Sequence, residues 1–282
     1  MARRKPKLPD NIETYNQKKL QEERFSKVKK SNDLIQKFRT DADTTKYKLM
    51  MYLIAKAYTF DSKSEYVFDV QDFCNCCGID RDNGGNYAHI KNAIKEMHGK
   101  VIWYPVYNDP DTDVTISFIN KAWFNKRSGK IRIRIDEDLK PYILNLKANY
   151  TSFNLLYTLA MKSQYSIRLY ELLKSWEGAY DGKRFWNIDE LRTLLNCEHY
   201  TRYQDFRRFV LEPAQEEINR LSDLNITFNA EKNNSRSYNI INFTIELKNP
   251  VEKIKSEQNS ITQLDGQINW WDVTNHEGDN NE

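Results

Sequence analysis

Two adjacent arginines, Arg207 and Arg208, lie in a segment whose composition and spacing suit contact with DNA bases. Apolar residues recur at helical spacing over 202–220, which predicts a long helix with one buried side. Arginine can bond O6 and N7 of guanine together, and glutamine can bond N6 and N7 of adenine. We therefore predict that the outward side of this helix enters the major groove of double-stranded DNA. The residues assigned to this contact are Arg202, Gln204, Arg207, Arg208 and Leu211, and those assigned to the buried side are Phe206, Val210, Pro213 and Ala214.

These assignments have structural alternatives. Thr201 followed by Gln204 fits a capping box, in which the glutamine would satisfy the start of the helix instead of a base. An arginine pair on a helix can also be a plain solvated surface. Pro213 is expected to bend the helix, because an interior proline removes one backbone hydrogen bond.

Two further groups of polar residues are candidates for DNA contact. A helix predicted over 86–98 presents His89, Asn92 and Lys95 on the side opposite its apolar residues. Lys232 and Arg236 flank a polar turn between two β-rich runs, where they could contact phosphates without recognising sequence. An ordinary polar turn remains the alternative for this pair.

The elements that would position these residues follow the same order twice. In the first half, helices are predicted over 31–38, 44–58, 70–77 and 86–98, and strands over 66–70, 101–107, 114–124 and 130–135. A connecting helix is predicted over 136–146. In the second half, helices are predicted over 151–161, 163–176, 188–195 and 202–220, and strands over 183–186, 225–231 and 237–247.

Each half has the order of a winged helix, a helix-turn-helix followed by a β-hairpin wing. That order is helix, helix, strand, helix, helix, strand, strand. The predicted fold class is α+β, with two tandem winged-helix domains and flexible termini. Residues 1–24 would form a flexible basic arm, 25–147 the N-terminal domain, 148–249 the C-terminal domain and 250–282 a disordered acidic tail. Each domain is expected to have its own core.

Charge is concentrated at the two ends of the chain. Residues 1–30 contain ten Lys/Arg and four Asp/Glu, whereas residues 250–282 contain two Lys and seven Asp/Glu. A basic arm could follow a phosphate backbone, and an acidic tail could compete for the same basic surface. Solubilising, disordered termini are the alternative.

Several functional classes lack their motifs. The sequence contains no Gly-x-x-x-x-Gly-Lys-Ser/Thr loop for nucleotide phosphates and no His-x-His pair for a metal-dependent nicking enzyme. The cysteines at 74, 76, 77 and 197 lack the spacing of common zinc modules. We therefore expect no enzyme activity, no metal and no cofactor. The longest apolar run, 49–55, is too short for a membrane span, and without a secretory signal the predicted location is cytoplasmic.

Several longer runs resemble one protein family. They are KSNDLI at 30–35, LKANYTSF at 146–153, SQYSIRLYELLK at 163–174, IDELR at 188–192 and YQDFRRFVLEPA at 203–214. Together they are similar to the iteron-binding replication initiators (Rep proteins) of theta-replicating plasmids, over about residues 25–247. The family has tandem winged helices, in agreement with the duplicated order of elements.

The resemblance implies a plasmid replication initiator that binds directly repeated origin sites, promotes origin melting, and recruits the host initiator and the replicative helicase. It also implies dimerisation through the first domain and repression of its own promoter, at an inverted repeat. By this resemblance the helix with Arg207 and Arg208 is the main sequence reader, and the helix at 86–95 a weaker contributor.

Two other functions remain open from the residues themselves. A dimeric winged-helix transcriptional regulator would bind an inverted repeat without initiating replication. A nuclease or nicking enzyme would cleave supercoiled origin DNA in the presence of a divalent metal.

Overall fold

The computed structural model describes residues 10–40, 42–59, 65–79, 85–99, 101–106, 109–178, 180–232 and 238–266. The first half contains β1 (Lys27–Ser31), α2 (Asn32–Gln36), α3 (Thr44–Ala55), β2 (Glu65–Asp69), α4 (Val70–Cys76), α5 (Asn86–Gly99), β3 (Val101–Val106), β4 (Asp109–Ser117), β5 (Ile119–Asn125), β6 (Lys130–Ile135) and α6 (Lys140–Ile143), preceded by α1 (Asp10–Arg24). The second half contains β7 (Tyr150–Asn154), α7 (Leu155–Ala160), α8 (Gln164–Lys174), β8 (Lys183–Asn187), α9 (Ile188–Leu194), α10 (Tyr203–Phe206), α11 (Glu212–Leu221), β9 (Leu224–Glu231), β10 (Ile240–Leu247) and α12 (Pro250–Asp265).

Both halves have the winged-helix arrangement that the sequence predicts. An antiparallel sheet in the order β2-β6-β5 accompanies α3, α4 and α5, and a sheet in the order β8-β10-β9 accompanies α8, α9 and the helix that carries Arg207. Local sequence explains several boundaries. Asn187 caps α9, since its side chain accepts from the backbone N–H of Asp189 at 2.9 Å. Asp43, the residue before α3, caps that helix because its side chain accepts from the backbone N–H of Lys46 at 2.9 Å.

The single strand predicted over 114–124 is two strands in different sheets. β4 pairs with β3 in a separate hairpin, whereas β5 pairs with β6 in the winged-helix sheet. Phe118 lies between them and is buried. The β-rich composition continues through the junction, so periodicity alone does not reveal that the chain changes sheets there. The connecting helix predicted over 136–146 shortens to a 3₁₀ turn at Glu137–Leu139 and α6.

A strand pair joins the beginnings of the two halves. β1 pairs antiparallel with β7, from Lys27 opposite Asn154 to Ser31 opposite Tyr150. The helix predicted from Thr151 therefore begins only at Leu155, because the first residues of that segment are paired as a strand. β1 itself was not predicted.

The expectation of one core for each domain is wrong. A single continuous set of buried side chains runs from Val28 and Leu53 in the first half to Leu169 and Ile218 in the second. α3 of the first half packs on α7 and α8 of the second, so apolar surface left by one half is covered by the other. The two halves are therefore held in one orientation by burial as well as by the strand pair.

The sequence predicts flexible ends at 1–24 and 250–282. In the parts of these ends that the structure describes, the chain is helical instead. Asp10–Arg24 is helical, and Pro250–Asp265 forms α12, capped by Asn249 in a capping box with Glu252. The inner side of α12 carries Ser256, Ser260 and Leu264 at four-residue spacing, all buried. This narrow stripe of small and apolar residues explains why a largely polar segment docks. The ends at 1–9 and 267–282 lie outside the described residues.

α12 is held against both halves. Arg24 is buried and donates from Nη1 to Asp265 Oδ1 at 2.8 Å and from Nε to Cys76 O at 3.0 Å. Ser260 donates to Leu221 O at 2.7 Å, at the end of α11. Close to these contacts Gly78 has φ +71°, and a Cβ at this glycine would lie 1.9 Å from Leu264 O. The end of α12 therefore lies directly on the backbone that follows α4.

The four cysteines are free thiols in the core. Burial raises the pKa of Cys74, Cys76 and Cys197 to about 12, so these thiols are neutral packing groups. Within the part of the chain that the structure describes, no helix is long and apolar enough to cross a membrane.

Candidate nucleic-acid interface

The helix of the second half that carries Arg207, Tyr203–Leu221, is continuous but not uniform. Its middle, Arg207–Leu211, is π-helical and lies between α10 and α11. Glu212 N–H donates to Arg207 O, five residues back instead of four. The following residue, Pro213, has no backbone N–H to donate, so the helix lacks one backbone hydrogen bond at this point. A π-helical segment precedes this proline, and the bend predicted there stays a prediction.

The π segment changes which side chains face outward. Leu211 is fully buried, with 0% exposure, and Pro213 is exposed. The assignment of Leu211 to the DNA contact and of Pro213 to the core is therefore wrong, because the additional residue in the turn shifts the helical phase assumed from the sequence. Phe206, Val210 and Ala214 are buried as predicted.

Three consecutive residues, Arg207, Arg208 and Phe209, are exposed on this helix. We call them the exposed triad. Arg207 Nε donates to Glu212 Oε1 at 2.8 Å, in a pair whose side chains are 55% and 48% exposed. Arg202 makes a similar pair with Asp205 at 2.8 Å. Exposed pairs of this kind contribute about 0 to 1 kcal/mol, so either guanidinium can exchange its carboxylate for a DNA group at little cost.

Gln204 is exposed and not used as a cap. The N-cap of α10 is Arg202, with no side-chain cap hydrogen bond, so the predicted capping box of Thr201 with Gln204 is absent. This removes the structural alternative for Gln204 without showing a base contact. Its role in DNA binding stays a prediction.

Aromatic side chains lie next to the cations of this surface. The Phe209 ring stacks on Tyr200 with centroids 5.8 Å apart, and the Arg208 guanidinium carbon lies 5.3 Å from the Phe209 centroid. Lys232 is exposed, with Nζ 5.1 Å from the Tyr238 ring, while Arg236 lies outside the described residues. The sequence assignment omitted Phe209, because regular helical phase places position 209 at the margin between the buried and the outward side.

The corresponding helix of the first half, α5, is a less basic surface. Ile90, Ile94 and Met97 are buried as predicted, and Asn92 and Lys95 are exposed. His89 is half-buried, with Nε2 3.5 Å from Thr45 Oγ1. Exposed Glu96 adds negative charge to the same helix, although it is paired with Lys46 at 2.6 Å. These contacts fit a secondary role for α5 in any DNA complex, and the three predicted residues stay predictions.

Comparison with known families decides what kind of protein carries this surface. Residues 27–174 match the family model described as "Initiator Replication protein, WH1", and residues 187–245 match the model described as "Initiator Rep protein, WH2". The chain belongs to the initiator Rep protein family. The two matches together confirm the tandem winged-helix fold and its assignment to this family, as predicted from the sequence runs.

One solved structure has a fold similar to that of this initiator Rep protein. "Crystal structure of Pi initiator protein in complex with iteron DNA" is similar with a TM-score of 0.63 and 17% sequence identity, over 80% of this chain and 98% of that chain. At this level of identity the likeness shows a shared fold. The domain limits predicted at 147 and 148 stay a prediction, because β7, α7 and α8 contact both halves.

Proposed function

We propose that this initiator Rep protein starts plasmid replication by binding directly repeated sites, iterons, in double-stranded DNA. The observation that carries the proposal is the exposed triad on a winged-helix domain, where a helix can enter the major groove and present two exposed arginines to base edges. The iteron DNA named for the similar Pi initiator supports the same class of site.

The continuous core supports a defined mode of binding. Because β1 pairs with β7 and buried side chains connect the halves, α5 and the helix Tyr203–Leu221 have a fixed separation and orientation. Two helices fixed in this way would contact successive faces of one repeat, the second domain making the main base contacts and α5 the weaker ones. Binding would then depend on the spacing of the two contacted segments.

Further steps of initiation are part of the proposal. The bound protein would promote melting of the origin and recruit the host initiator and the replicative helicase, without catalysing a reaction itself. As a dimer it would bind an inverted repeat at its own promoter and repress it, which would couple the amount of protein to plasmid copy number. These steps rest on membership of the family.

Footprinting of the DNA that flanks the gene, followed by affinity measurements on the protected site, tests the proposal. Arg207→Ala or Arg208→Ala should cost about 1 to 3 kcal/mol on the cognate site and relax the preference at one base pair, whereas Lys232→Ala should weaken all sequences alike. An equal loss on cognate and random DNA for both arginines would reject their assigned role.

A maintenance assay separates initiation from regulation. A plasmid whose only origin is the protected DNA should replicate when the protein is supplied from elsewhere, and should be lost when Arg208→Ala is supplied instead. Protection of a lone inverted repeat, with no plasmid maintenance, would instead identify a transcriptional regulator. Relaxation of supercoiled origin DNA in the presence of Mg²⁺ would identify a nicking enzyme.

A further inference from the structure

Phe209 is an exposed aromatic side chain in the middle of the helix that faces DNA. It is 48% exposed, although phenylalanine normally belongs in the core. One side of its ring is held by Tyr200, and the Arg208 guanidinium approaches at 5.3 Å. These neighbours fix the position of the ring but leave about half of the side chain open to solvent.

The exposure of Phe209 follows from the backbone. In the π-helical segment the exposed triad is followed by Val210 and Leu211, both buried. The segment thus places the ring on the same strip as the two arginines. Among the described residues of the helix Tyr203–Leu221, Phe209 is the large apolar side chain that remains exposed.

The surroundings of Phe209 indicate what covers it. Arg202, Arg207 and Arg208 outnumber the carboxylates of Asp205 and Glu212 that pair with two of them, so the strip keeps a net positive charge. This charge suits a polyanion better than the apolar groove of another protein. On base edges in the major groove, the apolar group available for contact is the C5-methyl of thymine. A phenylalanine next to a guanine-binding arginine therefore matches a thymine near that guanine.

We propose that Phe209 recognises one thymine of the DNA site by packing on its C5-methyl group. The thymine lies within one or two base pairs of the base contacted by Arg208, because the two residues are neighbours on the helix. The inference rests on the proposed function, since it requires this helix to enter the major groove.

Replacement of thymine by deoxyuridine tests the inference, because it removes the methyl group and leaves base pairing intact. Each thymine of the footprinted site is replaced in turn, and the affinity of wild type and Phe209→Ala is measured by competition. Wild type should lose about fourfold at one position, the value of one methyl-sized group leaving a buried contact. Phe209→Ala should bind the unmodified site more weakly and show no further loss at that position, while Phe209→Leu should keep part of the sensitivity.

Phe185→Ala is the matched control. Phe185 is another exposed phenylalanine of the same domain, 60% exposed on β8, and its removal should leave affinity and the deoxyuridine profile unchanged. Because both phenylalanines are exposed, neither variant should unfold the protein, and thermal melting checks this.

Two results would overturn the inference while leaving the proposed function intact. One is a deoxyuridine profile that is the same for wild type and Phe209→Ala. The other is a Phe209→Ala protein that binds the unmodified site as tightly as wild type. Failure of wild type to prefer any repeat over random DNA would instead remove the proposed function.

Discussion

Lys30 Nζ donates to Glu171 Oε1 at 2.6 Å, and this buried ion pair joins the first strand of the protein to α8, 141 residues later. The two side chains are 5% and 0% exposed. Arg168 completes the cluster, with Nη1 3.7 Å from Glu171 Oε2 and Nη2 donating to Ile35 O and Phe38 O. At the junction between the halves, the buried cations of Lys30 and Arg168 therefore share the Glu171 carboxylate as their counter-charge.

Glu171→Leu should destabilise the protein by about 3 to 5 kcal/mol, because it leaves Lys30 and Arg168 buried without their counter-charge. Urea denaturation gives the free energy of unfolding. Adding Lys30→Met to this variant should recover part of the loss. The control is Asp33→Asn, which breaks the exposed pair with Lys37 and should change stability by less than about 1 kcal/mol. If Glu171→Leu lowered the free energy of unfolding by no more than Asp33→Asn does, this account would be contradicted.

Lys48 should make stability depend on pH in the alkaline range. Its side chain is fully buried in α3, and burial lowers the pKa of the amine from 10.5 to about 8. Between these values the unfolded chain holds a proton that the folded protein has lost, so stability rises with pH across this window and stays level below it. Between pH 7 and pH 9.5 the free energy of unfolding of wild type, measured by urea denaturation, should rise by about 2 kcal/mol relative to that of Lys48→Met. Parallel profiles for the two proteins would refute the assignment.

Gly78→Ala should loosen α12. At this residue a side chain would meet Leu264 O, and φ is +71°. Gly129 is a matched control, since its φ is +69° but the nearest atom to an added Cβ is 4.0 Å away. Both alanine variants should incur about 1 to 2 kcal/mol of backbone strain. Only Gly78→Ala should also accelerate amide hydrogen exchange over 256–266, and equal exchange in the two variants would show that this contact does not hold the helix.

Glu212→Gln should tighten DNA binding. The change releases Arg207 from its exposed ion pair and removes a negative charge beside the exposed triad. We expect a severalfold gain in affinity at low salt that shrinks as salt screens the charge, with little change in the free energy of unfolding. Glu246→Gln, at an exposed position near the end of β10, is the control and should have no such effect. Weaker binding by Glu212→Gln would mean that the pair orients Arg207 for its contact.

Much of each winged helix could be predicted because its signals are local. The strand at Lys130–Ile135 alternates in character and ends at turns, and Asn187 caps α9 with its own side chain. Such signals involve residues a few positions apart, so they act in the same way before and after the chain folds. The outward position of Arg207 and Arg208 follows from the same periodicity.

Predictions were wrong where distant segments meet. Thr151 is predicted to be helical but belongs to a strand, because β1 pairs with its backbone and Lys30 lies opposite it. The polar segment 250–265 has few apolar residues, yet it forms a helix on a surface made by α7 and α11. Leu211 is buried because the π segment rotates it inward, and regular helical phase contains no sign of that change.

The sequence by itself determined two winged helices and the outward position of Arg207 and Arg208 on their helix, because caps, turns and apolar periodicity are properties of neighbouring residues. Only the tertiary structure decided that the halves share one core, that α12 docks across them, and that Phe209 replaces Leu211 on the exposed strip. These outcomes depend on apolar surface and backbone groups that come together only when the chain has folded, so they cannot be assigned to any single segment.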